Sequence, residues 1–193
     1  MTTATARDFE ASSGTGRRIR LPLLARLFDE RDASARSCWC DLGPVQRGLV
    51  ARLSGTRSKL FVLDLPGLRE NDQSWSRPPP LDEPIGLTLC WDLLNYLDAG
   101  ELGALSAAIA ANSCPDGRVH ALIQYSSKTM PGRPCAFSID ERLDFTPRDG
   151  GDAIEAPRYS PKALEKAMAL LHVESTMLLN NGMQEFVFAI REH

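Results

Sequence analysis

Histidine is scarce in this chain, three in 193 residues, and its five cysteines (Cys38, Cys40, Cys90, Cys114 and Cys135) form no C-x-x-C pair. Cys38-Trp39-Cys40 puts two thiols on one face of a strand, but a structural zinc site needs two further well-spaced ligands. His120 and His172 have no acidic companion at a spacing that would suggest a metal site or a catalytic triad, so no metal is expected. No run of 18 apolar residues is present, which argues against a transmembrane helix. Charge is nearly balanced, with 22 basic and 25 acidic residues and a net of −3, so there is no basic footprint for a nucleic acid. Ser12-Ser13-Gly14-Thr15-Gly16 lacks the lysine of a phosphate loop. Residues 1–17 lack the apolar core of a secretory signal, and Asp8 and Glu10 speak against a transit peptide. No internal repeat is visible. The expectation is a tail over 1–17, one domain over 18–193, and free thiols in a reducing cytoplasm.

What is present is an ordinary globular balance, 43% hydrophobic and 24% charged, arranged as alternating strands and helices. Arg18 to Arg31 has apolar residues at helical spacing (Ile19, Leu23, Leu24, Leu27), with Pro22 in its first turn. A strand is predicted over 37–42, a helix over 45–54 closing at Gly55, and a second strand over 59–65. From Pro66 to Pro84 the prolines at 66, 78, 79, 80 and 84 predict a long loop with at most one short helical turn. Ile85–Trp91 is apolar enough for a buried parallel strand. Asp98 opens a helix, with Glu101 three positions on and Leu102, Leu105, Ala108 and Ile109 as its stripe. Pro115-Asp116-Gly117 reads as a turn and 119–125 as the next strand.

Residues 126–159 show no period, and an irregular segment of that length is often a lid or a binding element. Ser160-Pro161 opens a further helix, in which Leu164, Ala167, Met168 and Leu171 form the buried face. The chain closes with strands at 172–178 and 184–190 around Asn180-Asn181-Gly182, a hairpin turn. Alternation of this kind demands crossover helices. It predicts an α/β fold, a Rossmann-like, mostly parallel sheet with helices on both faces and a C-terminal antiparallel hairpin.

An acid closes each of the first two strands: Asp41 and, 23 positions later, Asp64. An acidic residue about 20 positions past the first turn of a nucleotide-binding βαβ unit accepts hydrogen bonds from ribose hydroxyls. In open α/β sheets ligands bind beyond the carboxyl ends of the strands, which would gather residues 41–48, 64–68, 91–96 and 125–130.

This order resembles the class I S-adenosylmethionine-dependent methyltransferases over about residues 36–191. Asp41-Leu42-Gly43 resembles the start of that family's acidic, glycine-rich motif, and Asp64 its acid after the second strand. Leu89-Cys90-Trp91-Asp92-Leu93-Leu94-Asn95-Tyr96-Leu97 resembles the segment after its fourth strand. Cys114-Pro115-Asp116-Gly117-Arg118-Val119 resembles the turn into its fifth. The resemblance implies S-adenosylmethionine as cofactor and methyl transfer to a small-molecule or protein acceptor. Asp41 would help hold the cofactor's ammonium, directly or through water, and Gly43 would let the backbone approach its methionine part. Asp64 and Leu65 would border the ribose. Trp91 and Asp92 would face the methyl donor, and Asn95, Tyr96 and Tyr125 the acceptor.

The sequence departs from that pattern in two places. Val45 and Arg47 stand where glycines usually alternate, with Gly48 one place later and Pro44 removing a backbone donor. Only Leu65–Pro84 separates the second strand from Ile85, too little for a helix, a strand and a helix, so the third strand is expected to be missing. The alternative is therefore a non-catalytic protein of this fold that has lost the cofactor and acts as a homodimer or through a protein partner.

Overall fold

The computed structural model describes residues 18–32, 37–70, 82–157 and 159–191. The tail over 1–17 and Asn71, Asp72, Gln73 and Trp75 lie outside the described residues.

A six-stranded sheet carries the fold. Its strands are β1 (Ser37–Asp41), β2 (Ser58–Val62), β3 (Ile85–Trp91), β4 (Ser113–Gln124), β9 (Leu171–Leu178) and β10 (Met183–Ile190). They run in the order β2-β1-β3-β4-β10-β9. The β1–β2, β1–β3 and β3–β4 pairs are parallel, and β10 is antiparallel to both β4 and β9. The predicted α/β architecture and its closing hairpin are therefore present. Gly182, at φ +84°, supplies the left-handed residue of the hairpin turn.

Every residue of β3 is buried, as a central parallel strand requires. Alternation along the strands feeds two cores. Cys38, Cys40, Cys90, Val119, Ala121, Ile123, Phe186 and Phe188 pack on one face with helices α4 (Ala99–Asn112) and α5 (Pro161–Ala167). Trp39, Leu87, Leu89, Trp91, Leu122 and Val187 pack on the other with α1 (Pro22–Asp32) and α2 (Arg47–Leu53). Helices thus cover both faces. Each fully buried Leu, Ile or Phe contributes roughly 1.5–3 kcal/mol relative to exposure, so the two cores dominate the stability.

Several boundaries move for physical reasons. α1 begins at Pro22 rather than residue 18, because Ile19 is held extended by a two-bond bridge to Phe145. β4 begins at Ser113 and carries Pro115-Asp116-Gly117 within it as a bulge: Ile85 pairs with Ser113, yet Leu87 already pairs with Arg118. β2 ends at Val62, and a helix, α3 (Leu65–Glu70), follows it. Among the described residues nothing pairs outside β2, and residues 71–81 of the short 65–84 connection lie outside the described residues.

The aperiodic segment 126–159 is two nested ladders. β5 (Thr129–Pro131) pairs with β8 (Ala153–Glu155), and inside them β6 (Phe137–Ile139) pairs with β7 (Phe145–Pro147). Phe137, Ile139, Leu143 and Phe145 drop into the α1/α2 core. Gly48 makes this possible, since a methyl group there would collide with the Ile139 carbonyl and the Asp140 backbone.

Candidate functional site

At the carboxyl rim of β1, β2 and β3 the described residues bound a cavity of about 1240 Å³. One side is Pro44 and Asp64–Gly67; another is Leu93 and Asn95–Asp98, on and after the 3-10 turn that follows β3. The inserted ladders supply the remaining wall through Met130, Gly132–Pro134, Ile154–Pro157 and Tyr159. Two phenols tie that wall down. Tyr96 Oη donates toward the Pro131 and Arg133 carbonyls (2.9 and 3.0 Å), and Tyr159 Oη donates to Leu97 O (2.7 Å). Burial pushes both phenols above their ordinary range.

Asp64 stands on the cavity wall, half-buried, in a left-handed conformation (φ +42°). One carboxylate oxygen accepts from Gly67 N–H at 3.2 Å, capping α3. Gly67 permits this approach, because a methyl group there would lie 2.7 Å from Asp64 Oδ2. Leu65 beside it is buried and donates its amide to Leu42 O, which locks β2's exit onto β1.

Asp41 ends β1 on the same rim but turns inward. It is fully buried; Oδ1 accepts from Gly43 N–H (2.9 Å) and from Trp91 Nε1–H (2.6 Å), while Oδ2 has no partner. Burial pushes its carboxyl up from 3.8 to about 7, against the lowering effect of its two donors and with a further push from the charge of Asp64. Gly43 faces the Trp91 indole and the Cys135 thiol: a methyl group there would lie 2.8 Å from Trp91 Cδ1 and 3.0 Å from Cys135 Sγ. Trp91 reaches this place through a left-handed backbone (φ +50°) at an irregular β3–β4 register. Its ring packs against Phe137 (5.5 Å) and edge-on to His120 (6.2 Å).

Asp92 accepts from Cys135 N–H (2.8 Å), and burial pushes its carboxyl up to about 6. Asn95, buried, donates to Asp92 O and Leu122 O (2.7 and 2.9 Å) and accepts from Gln124 N–H (2.8 Å), stitching the 3-10 turn to β4. Tyr125 is 55% exposed beside the hairpin turn and is not among the cavity-lining residues.

The structure therefore brings Asp64, Leu65, Asn95 and Tyr96 to the cavity. Asp41, Gly43, Trp91, Asp92 and Tyr125 do not line it. The sequence reading missed Cys135, Arg133, Met130, Tyr159 and the 154–157 wall. The only signal for them was the unexplained length of 126–159. It also missed Glu185, whose carboxylate accepts from Leu23 N–H (3.0 Å), Leu24 N–H (2.7 Å) and His120 Nε2 (2.9 Å) under the start of α1. Among the described residues no group of three or more His, Cys, Asp or Glu is placed to hold a metal ion, and no helix is long and apolar enough to cross a membrane.

The strand order, the two helical layers and the rim cavity define the fold of the class I S-adenosylmethionine-dependent methyltransferases. An S-adenosylmethionine-dependent methyltransferase from Clostridium acetobutylicum ATCC 824 aligns over 87% of this chain and 91% of its own, with TM-score 0.54 and 12% identity. DesVI of Streptomyces venezuelae aligns over 88% and 90%, with TM-score 0.54 and 18% identity. DhpI, solved as a complex with SAH, aligns over 89% and 85%, with TM-score 0.51 and 13% identity. At such identities the likeness is one of fold. No family model and no curated protein matches the chain.

Proposed function

We propose that the rim cavity receives S-adenosylmethionine by its nucleoside end and that the chain transfers methyl groups to an acceptor admitted through the same opening. The observation that carries this is Asp64, a half-buried carboxylate after the second parallel strand, on the wall of a cavity at the rim where such sheets bind ligands. The cavity, about 1240 Å³, exceeds the ~300–1,000 Å³ of an ordinary ligand pocket, so an acceptor fits beside a nucleoside.

The nucleoside half of the cofactor fits these residues. Asp64 would accept from the ribose hydroxyls, while Leu65, Pro66 and Leu93 offer apolar contact. The methionine half does not fit the place that the Asp41-Leu42-Gly43 resemblance implies, because Trp91 and Cys135 fill it. Bound in the cavity, the cofactor would supply an electrophilic methyl group. The chain's part would be placement and exclusion of water by the 130–134 wall and by residues 154–157 and Tyr159, since methyl transfer depends on in-line positioning. The acceptor, small molecule or protein, would meet Tyr96 and the face of the turn that Asn95 anchors.

The test is a thermal melt with S-adenosylhomocysteine. Preferential binding to the folded state raises stability by roughly 2.7 kcal/mol at a ligand concentration of 100 Kd. The wild-type melt should rise, and Asp64→Ala should remove the rise. A flat wild-type response at millimolar ligand would reject the proposal. The Trp91–Asp41 contact favours a second reading, a non-catalytic protein that keeps the fold and works through a partner. That reading expects the flat response.

A further inference from the structure

We infer that Trp91 is a specificity residue that closes the amino-acid end of the ligand site, so that this cavity recognises a nucleoside and gains nothing from an amino-acid arm attached to it. The inference rests on the nucleoside-binding reading above and sharpens its ligand class.

An amino-acid arm reaching the end of β1 needs two things there: a carboxylate for its ammonium and bare backbone to lie against. This chain has both, in Asp41 and Gly43, but neither is open to a ligand: Asp41 Oδ2, though unpartnered, is buried away from the cavity, and Gly43 is covered. Asp41 is fully buried, and its Oδ1 is shared by the Gly43 amide and the Trp91 indole. The space over Gly43 does not admit a single methyl group, with Trp91 Cδ1 at 2.8 Å, Cys135 Sγ at 3.0 Å and Trp91 Nε1 at 3.3 Å. The indole N–H therefore stands where an ammonium would stand, and the ring stands where the arm's carbons would run.

Nor is the indole a loose cover. It is fully buried, lodged against Phe137 and His120, and its backbone holds a left-handed φ of +50° that bulky residues rarely adopt. Backbone strain of this kind persists only where the surroundings over-determine it. Here they do. Cys135, which walls the other side, is itself left-handed (φ +59°) and is held by the Asp92 carboxylate through its amide. Two strained residues, each anchored by a buried aspartate, close the same space. The ribose end has no such plug, since Asp64 sits on the open cavity wall.

The test is calorimetric titration of the full chain with 5′-methylthioadenosine, which lacks the arm, and with S-adenosylhomocysteine, which has it. Wild type should bind the two with dissociation constants within about fivefold of each other. Trp91→Ala should tighten S-adenosylhomocysteine by about tenfold or more while moving 5′-methylthioadenosine by less than about threefold, a selective gain that mere loosening of the core would not produce. Wild type preferring S-adenosylhomocysteine by more than about fivefold would overturn the inference, and this comparison decides even if the Ala variant does not fold. Failure of both ligands to bind would remove the nucleoside reading itself, and this inference with it. That outcome is distinct from a lost or retained preference.

Discussion

Gly43 has no room to become alanine. Trp91 and Cys135 are both buried and pinned, so neither yields the few tenths of an ångström that a new methyl group demands. Gly43→Ala should destabilise the fold by roughly 1–3 kcal/mol, the usual cost of overpacking, seen as a lower urea midpoint with unchanged m. Asp41 makes a different demand at the same place. Its folded pKa, about 7, lies above the 3.8 of an unfolded aspartate. Between these values the folded state holds more protons than the unfolded one. The group therefore favours folding most below about pH 4, and that contribution is lost as pH rises toward 7. Asp92, raised to about 6, adds the same sign over a narrower window. Asp41→Asn should flatten the fall in denaturation midpoint between pH 4 and 7. A wild-type midpoint that rises steadily across that window would contradict this account. Glu185 is the third sensitive residue. Glu185→Ala would strand two helix amides and a buried histidine nitrogen and should cost roughly 1–3 kcal/mol for each group left without a partner, read as a lower urea midpoint.

Elements were legible wherever a long apolar pattern or a capping signal marked them. Ile85–Trp91 and the Asn180-Asn181-Gly182 hairpin stand where the pattern puts them; the helix after Ser160-Pro161 starts where expected but ends at Ala167, and Leu171, read as part of its buried face, opens β9 instead. α4 also stands where expected, and its Asp98 and Glu101 form a reciprocal capping box (2.8 Å each way). Asp98→Ala should cost roughly 1 kcal/mol and lower Tm by about 2–4 °C. The ladders of 126–159 were illegible because their strands are three residues long, too short to show alternation. Their place over α2 is set instead by Gly48, read in sequence only as a displaced glycine of the nucleotide turn. Val45 is exposed and Arg47 begins α2, so neither crowds the cavity wall.

At the scale of the whole molecule, the sheet divides its side chains between two cores, and the candidate site opens at the rim beside the first, whose Leu65, Leu93 and Leu97 line it. Asp64 was legible from strand order and spacing alone. The inward turn of Asp41 was not, because it depends on a register irregularity and a left-handed Trp91 that no local pattern encodes. α1 is the lid of the second core, with Phe28 against Trp39 at 4.4 Å. A chain lacking residues 1–32 should show red-shifted tryptophan emission and added dye binding as Trp39 comes into water.

The amide groups that open α1 are satisfied by a carboxylate on β10, 162 and 161 residues further along the chain. During translation α1 must therefore wait for β10, the last of the described strands, to emerge. β10 is also the strand that joins β4 to β9, so its late arrival completes the sheet and anchors the helix together. Nascent chains stalled before residue 183 hold α1 with its opening amides unsatisfied and its core incomplete, and such partly folded chains expose apolar surface of the kind chaperones bind.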